Sequence, residues 1–180
     1  CHDPSRAFSD ARDNGVAGAA SLGDDGVSLG DRNAPSLSYV SLTPDFHRNV
    51  DGEYLGGFFV DGRAATMIEQ GQEPVLNPLE MALPDAAAVR ALTRTRPGCV
   101  APFEEPLGPS SLDSPEQVLV SVATAIAAFE NSTEFSPFDS RYDRYLRGEL
   151  ELGKEAELGR ILFFSDLINC NRCHLLDRRE

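Results

Sequence analysis

The chain has 180 residues, with Asp and Glu at 29 against Lys and Arg at 16 and a formal net charge of −13. That balance excludes a basic nucleic-acid footprint and a polybasic membrane anchor, and no window nears the roughly 18 consecutive apolar residues of a membrane span. A composition 41% hydrophobic and 25% charged is that of a globular protein. Gly and Pro together make up about 15%, slightly above the usual level of about 12%, which predicts long loops.

Residues 1–62 are rich in Gly, Asp and Ser without a sustained period, so they are expected as loop. Helix signals begin at about Arg63–Gln70. A second helix is expected from about Asp85 to Thr95, where Pro97-Gly98 stops it. Gly98–Ser114, with Pro102, Pro106 and Pro109, reads as a loop. The clearest helix runs from Ser114 to Phe129. Ser114 suits the N-cap and Pro115 the first helical position, and Gln117 completes a capping box. Leu119, Val122, Ile126 and Phe129 then fall on one apolar face. Residues 139–147 and 153–164 read as helices too. No hairpin of alternating strands is expected. The expected class is mainly α and loop-rich. The opening Cys1-His2-Asp3-Pro4 carries neither Met nor a leader, so a processed protein or a fragment is expected.

The cysteines are Cys1, Cys99, Cys170 and Cys173. Residues 170–174 read Cys-Asn-Arg-Cys-His, which is C-x-x-C-H, the attachment signature of a c-type haem. Two thiols at this spacing on a turn both reach the porphyrin vinyl groups, and His174 is placed to ligate the iron. A bare C-x-x-C also suits half a zinc site or a redox dithiol. The adjoining His favours haem, and no second C-x-x-C completes a zinc site. Cys1-His2 are the last two positions of a second such motif, its first half expected upstream. Two motifs so far apart predict two cytochrome-like units, the second beginning near residue 150. A haem would also give the loops of residues 1–62 the apolar core they lack.

Several blocks, in chain order, resemble the dihaem cytochrome c peroxidase/MauG family. Cys1–Asp10 resembles the segment after that family's first haem site. Arg32-Asn33-Ala34-Pro35-Ser36-Leu37 looks like its R-N-x-P-[ST]-L turn, and Asp61-Gly62-Arg63-Ala64 like its D-G-R-A block. Gln70, Pro74 and Asn77-Pro78-Leu79-Glu80-Met81 follow at the family's spacing. Phe129-Glu130, Phe138-Asp139 and Leu158-Gly159-Arg160-Ile161-Leu162-Phe163 complete the match up to Cys170.

The resemblance implies two cytochrome c-like domains: residues 1–149, a peroxidatic domain lacking its extreme N-terminus, and 150–180, the truncated start of an electron-transfer domain. It implies two haems c. Cys1 would attach the first, with His2 on its iron, and Cys170 and Cys173 the second, with His174 on its iron. Glu80 takes the place of the catalytic glutamate, Gln70 that of its partner amide, and Pro74 that of the bend between them. On composition alone both Glu80 and Gln70 would read as surface groups. Asn33 reads either as a turn residue or as the family's calcium ligand, with the remaining protein ligands beyond Glu180. The implied activity is reduction of hydrogen peroxide in a bacterial periplasm. A small electron donor, such as a cytochrome c or cupredoxin, would supply electrons through the second haem. Alternatives are a MauG-like oxidase acting on a partner protein and a non-enzymatic dihaem carrier.

Three positions depart from the family pattern. Val60 stands where many members have Trp, so Tyr54, Phe58 or Phe59 must carry any electron hop, and only Tyr54 is readily oxidised. Residues 11–32 contain no His, although classical members have a distal His there. The MauG-like branch shares this trait, which implies a first haem that is open before reduction. The stretch Tyr39–Gly57 looks longer than in plain peroxidases and carries His47, read as a solvated loop residue or a distal ligand. Cys99 reads as a small hydrophobe or a thiol at a helix end.

Overall fold

Thr66, in extended conformation, accepts the Glu69 N–H and opens helix α1, Met67–Leu76. The computed structural model describes residues 2–12, 15 and 17–174, which divide by contact into residues 1–136 and 137–180.

In the first unit α1 starts later than the expected Arg63, because Ala64 is held by Phe58 in an isolated antiparallel bridge. It then runs on through Pro74, which has no N–H for the Gln70 carbonyl, so α1 lacks one backbone hydrogen bond near its end. Asp85 caps α2, Ala86–Thr95. Gly98, at φ +81°, turns the chain as expected. The stretch Gly98–Ser114 is not all loop, because Val100–Leu107 forms α3. Its Pro102 lies in the first turn, where the missing N–H has no intrahelical partner to lose. Ser114 and Gln117 form a complete capping box at the start of α4, Pro115–Glu130.

A minimal hairpin also departs from the expectation. Strands β1, His47–Arg48, and β2, Tyr54–Leu55, pair antiparallel with His47 opposite Leu55. Asn49 drives the turn, its Oδ1 accepting the Asp51 and Glu53 N–H groups, and Gly52 supplies the φ of +83°. Two-residue strands are too short to carry an alternating pattern.

Helix α4 is the axis of this unit, with α1, α2 and α3 packed on it. Gly71 permits the α1–α4 approach, since a Cβ there would lie 3.3 Å from the Cβ of Ala123. One apolar cluster joins Phe58, Ala64, Met67 and Ala127, and another joins Val75, Val89, Leu112 and Val118. Phe135 is 1% exposed and packs its ring between Phe8 and Phe129. The burial on α4 differs from the expected face. Val118, Ser121, Ala123 and Ala127 are buried, Leu119 and Val122 are partly so, and Ile126 and Phe129 stay exposed. Small residues take the helix–helix contact because they let the backbones approach, which leaves the bulky ones outside.

The second unit contains α5, Arg141–Leu146, α6, Lys154–Phe163, and a 3₁₀ turn at Cys170–Arg172. Ser140 and Asp143 form a capping box on α5. Arg147 holds the Phe138 carbonyl, Asp139 and Glu149 together. None of its described residues is buried. No helix among the described residues is long and apolar enough to cross a membrane.

Candidate functional site

The first unit brings its site residues in from two loops. The chain after His2 makes a 3₁₀ turn, Pro4–Arg6, capped by Asp3, and Ala7 and Phe8 follow at φ 52° and 62°. This reversal sets the Phe8 carbonyl 2.7 Å from His2 Nδ1. A carbonyl only accepts, so Nδ1 carries the proton and Nε2 keeps its lone pair for a metal. His2 is exposed on the remaining side. Cys1 lies outside the described residues.

The second loop leaves the end of α1. Asn77 accepts the backbone N–H groups of Glu80 and Ala82, Met81 N–H donates to the Pro74 carbonyl, and Ala82 sits at φ +55°. The Glu80 carbonyl accepts the Asp24 N–H at 2.7 Å. Glu80 is therefore fixed by backbone bonds on both sides. Its carboxyl is half-buried, and Asn77 Nδ2 donates to Oε1 at 2.8 Å. Burial pushes its pKa above the ordinary glutamate value, and repulsion from Glu73 adds to this. The Asn77 hydrogen bond and the charges of Arg63 and His2 pull it back. Gln70 is half-buried on α1, and its side-chain amide makes no hydrogen bond among the described residues.

Beside this loop lies a charge network that sequence reasoning used only as a family marker. Asp61 accepts from Arg32 and Arg63, each at 2.9 Å, and together they hold its carboxyl down to about 2. Arg63 also reaches Glu73 at 3.2 Å and lies 3.5 Å over the centre of the Phe59 ring. The close run of opposite charges in Asp61-Gly62-Arg63 was the available signal.

The remaining candidates are more separate. Asn33 Oδ1 accepts the hydroxyl of the buried Ser21, whose oxygen in turn accepts the Ala34 N–H, so Asn33 clamps the turn. That oxygen retains one lone pair, enough for one bond to a hard cation. Exposed His47 donates from Nδ1 to the Asp45 carbonyl at 2.8 Å. Val60 is 73% exposed. Tyr54 stacks on Phe46 at 5.7 Å on the hairpin, and Phe58 is buried in the core. Cys99 is half-buried at the start of α3.

In the second unit one short turn carries the complete motif. Asn169 adopts φ 56°, and the Cys170 carbonyl accepts the Cys173 and His174 N–H groups at 3.2 and 2.9 Å. Cys170 is half-buried, Cys173 is exposed, and both thiols are free. His174 faces the Phe163 ring at 6.2 Å. Nearby in the chain Leu158, Ile161, Leu167 and Ile168 are all more than half exposed. Two free thiols and an imidazole on one turn are the donor set that a covalently attached haem requires.

Residues 1–151 match the family model described as di-haem cytochrome c peroxidase. The methylamine utilization protein MauG of Paracoccus denitrificans is 48% identical over 175 residues, which are 97% of this chain and 45% of that protein. The chain thus spans about half the length of this curated relative. Among solved structures, the diheme peroxidase BthA of Burkholderia thailandensis superposes with a TM-score of 0.87 at 36% identity, covering 98% of this chain and 43% of that one. A MauG-like protein associated with microbial copper homeostasis does so with a TM-score of 0.66 at 28% identity, covering 97% and 44%.

Proposed function

The chain belongs to the di-haem cytochrome c peroxidase family, and we propose that it carries the peroxide-reacting site of a periplasmic dihaem enzyme that reduces hydrogen peroxide to water. The family implies two haems c. Cys1 and His2 would hold the first, in a domain of residues 1–149. Cys170, Cys173 and His174 would hold the second, in a domain beginning at residue 150. When bound, the haem supplies the iron at which peroxide is reduced. Two electrons and two protons balance one peroxide against two waters. The electrons would come from a small donor protein, a cytochrome c or a cupredoxin, through the second haem.

This chain's own residues would supply the proton handling. The observation that carries the reading is Glu80, a half-buried carboxyl pinned in its loop and hydrogen-bonded by Asn77. Ionised, it accepts the peroxide proton and then returns it to the departing oxygen, so that water leaves rather than hydroxide. Partial burial raises its proton affinity toward working pH, which suits a group that must both take and give a proton. Gln70, with a free amide on α1, orients the incoming peroxide. Asn33 offers its remaining lone pair to a calcium ion.

A second reading, oxidation of a partner protein in place of a small donor, is favoured by the 48% identity to MauG. Both readings use the same Glu80 chemistry. In the haem-loaded full-length protein, Glu80→Gln should slow the reaction with peroxide by about 10²–10⁴-fold in stopped-flow mixing, with both haems retained. A rate within about threefold of the unsubstituted protein would place the base elsewhere.

A further inference from the structure

We propose that Asn77 is a positioning residue that gives the two oxygens of the Glu80 carboxylate different tasks, holding Oε1 and leaving Oε2 to carry the proton. This rests on Glu80 acting as the base.

Asn77 ends α1 and uses both halves of its amide. Its Oδ1 accepts the Leu79 N–H at 3.0 Å, and its Nδ2 donates to Glu80 Oε1 at 2.8 Å. These two bonds fix the amide orientation. A flipped amide would set NH₂ against the Leu79 N–H and Oδ1 against the carboxylate, losing both bonds and creating two repulsions. The donor therefore always faces Glu80. No other side chain among the described residues bonds to that carboxyl, so Oε2 is unclaimed.

An N–H donated to Oε1 is retained only while that oxygen keeps a lone pair directed at it. Protonating Oε1 would break the bond, and protonating Oε2 leaves it intact. The acid form thus carries its proton on Oε2. The swing of the carboxyl is restricted in addition, because the Glu80 backbone is tied to Asn77 and to the Asp24 N–H. The Ser21–Gly30 loop presses on the same segment: a Cβ on Gly23 would lie 3.0 Å from the Leu79 carbonyl oxygen. The charged groups that bear on Glu80 are Arg63, Glu73 and His2, and none of them bonds to it. Asn77 is the one neighbour that sets direction as well as charge.

The test uses haem-loaded full-length protein with two variants. Asn77→Asp keeps the acceptor for the Leu79 N–H, so the loop retains its turn, and replaces the donor with a carboxylate. Asn77→Ala removes both bonds. Donor loss removes a bond that favours the ionised form, and the Asp variant adds like-charge repulsion. The acid limb of the peroxide reaction rate should therefore move to higher pH in both, by about one pH unit or more in Asn77→Asp and less in Asn77→Ala. Infrared difference spectra across the same pH range give a second readout. The protonated-carboxyl band that Glu80→Gln abolishes should appear at higher pH and broaden in both variants, because the carboxyl then samples more than one environment. An unmoved acid limb and an unmoved band in Asn77→Asp, with Glu80→Gln still slow, would overturn the role of Asn77 and leave the base assignment standing. A Glu80→Gln protein as fast as the unsubstituted one would instead overturn the underlying reading.

Discussion

Residues 1–136 surround α4 with two apolar clusters in which Leu112 and Val118 are wholly buried, whereas none of the described residues of 137–180 is buried. The first unit has a helical core of its own. In the second, α5 rests on its capping box, and α5 and α6 carry ion pairs such as Arg147–Glu149 and Arg160–Glu157. Exposed pairs of this kind contribute about 0–1 kcal/mol each, far less than a buried core. Several of its apolar side chains are largely exposed, Leu167 at 85%, although Phe163 packs on Phe164. The difference teaches that residues 1–136 bury a core made of their own side chains, whereas the described residues of 137–180 are held by local caps and ion pairs.

The largest effect should come from removing the proposed haem attachment at Cys170 and Cys173. Changing both Cys170 and Cys173 to Ala in the full-length protein should abolish one of two covalent haems, on a haem-stained denaturing gel and by mass. Amide exchange should accelerate through α6 and stay unchanged through α1 and α4. Two haems still attached would contradict the role of this motif, and unchanged exchange in α6 would contradict the dependence of its order on the group.

A smaller effect is expected at Glu130, which breaks the pattern inside the first unit. It is 6% exposed at the C-terminal end of α4, and no hydrogen bond or ion pair reaches its carboxyl among the described residues. Burial raises its pKa, and the negative end of the helix acts in the same sense. A raised folded-state value means that its contribution to stability is fully present below the unfolded pKa and is lost as pH rises through the folded pKa. Glu130→Gln, neutral at every pH, should be more stable than the unsubstituted protein at neutral pH by about 1 kcal/mol. The gap should close as pH falls below about 4.3, the ordinary glutamate value. Denaturant melts at several pH values would read this, and a gap that widens on acidification would reverse the sign argued here.

The smallest effects compare one local device in the two settings. Ser114 caps α4 and Ser140 caps α5, each through a complete capping box. Ser114→Ala should lower global stability by about 1 kcal/mol, because α4 is the element on which the other helices pack. Ser140→Ala should leave the global midpoint within about 0.5 kcal/mol and only loosen amides near Arg141–Arg144. Equal global losses would show that the second unit unfolds together with the first.

What was legible in the sequence was local. The Ser114–Pro115–Gln117 cap, the Asp85 cap and the Pro97-Gly98 stop each act within a few residues, so the chain states them directly. The Cys170–His174 turn is likewise self-contained. The α4 packing face was not legible. Periodicity ranks residues by apolarity, and it could not reveal that Gly71 on another helix would draw Ala123 inward and leave Phe129 outside. The helix at Val100–Leu107 was hidden by prolines whose harm depends on where in the turn they fall.

The candidate site divides in the same way. Glu80 and Gln70 could be named from a motif, but a motif contains no burial. Only the folded chain sets Glu80 beside Asn77, half-buries its carboxyl and carries the Asp24 N–H to its carbonyl. The Phe8 carbonyl that orients His2 is equally invisible in the alphabet of residues, because backbone groups are identical everywhere. Residue types and short spacings decided which groups this protein could use. Tertiary structure decided their proton affinities and directions, because desolvation and hydrogen bonding depend on distances in space that sequence separation does not encode.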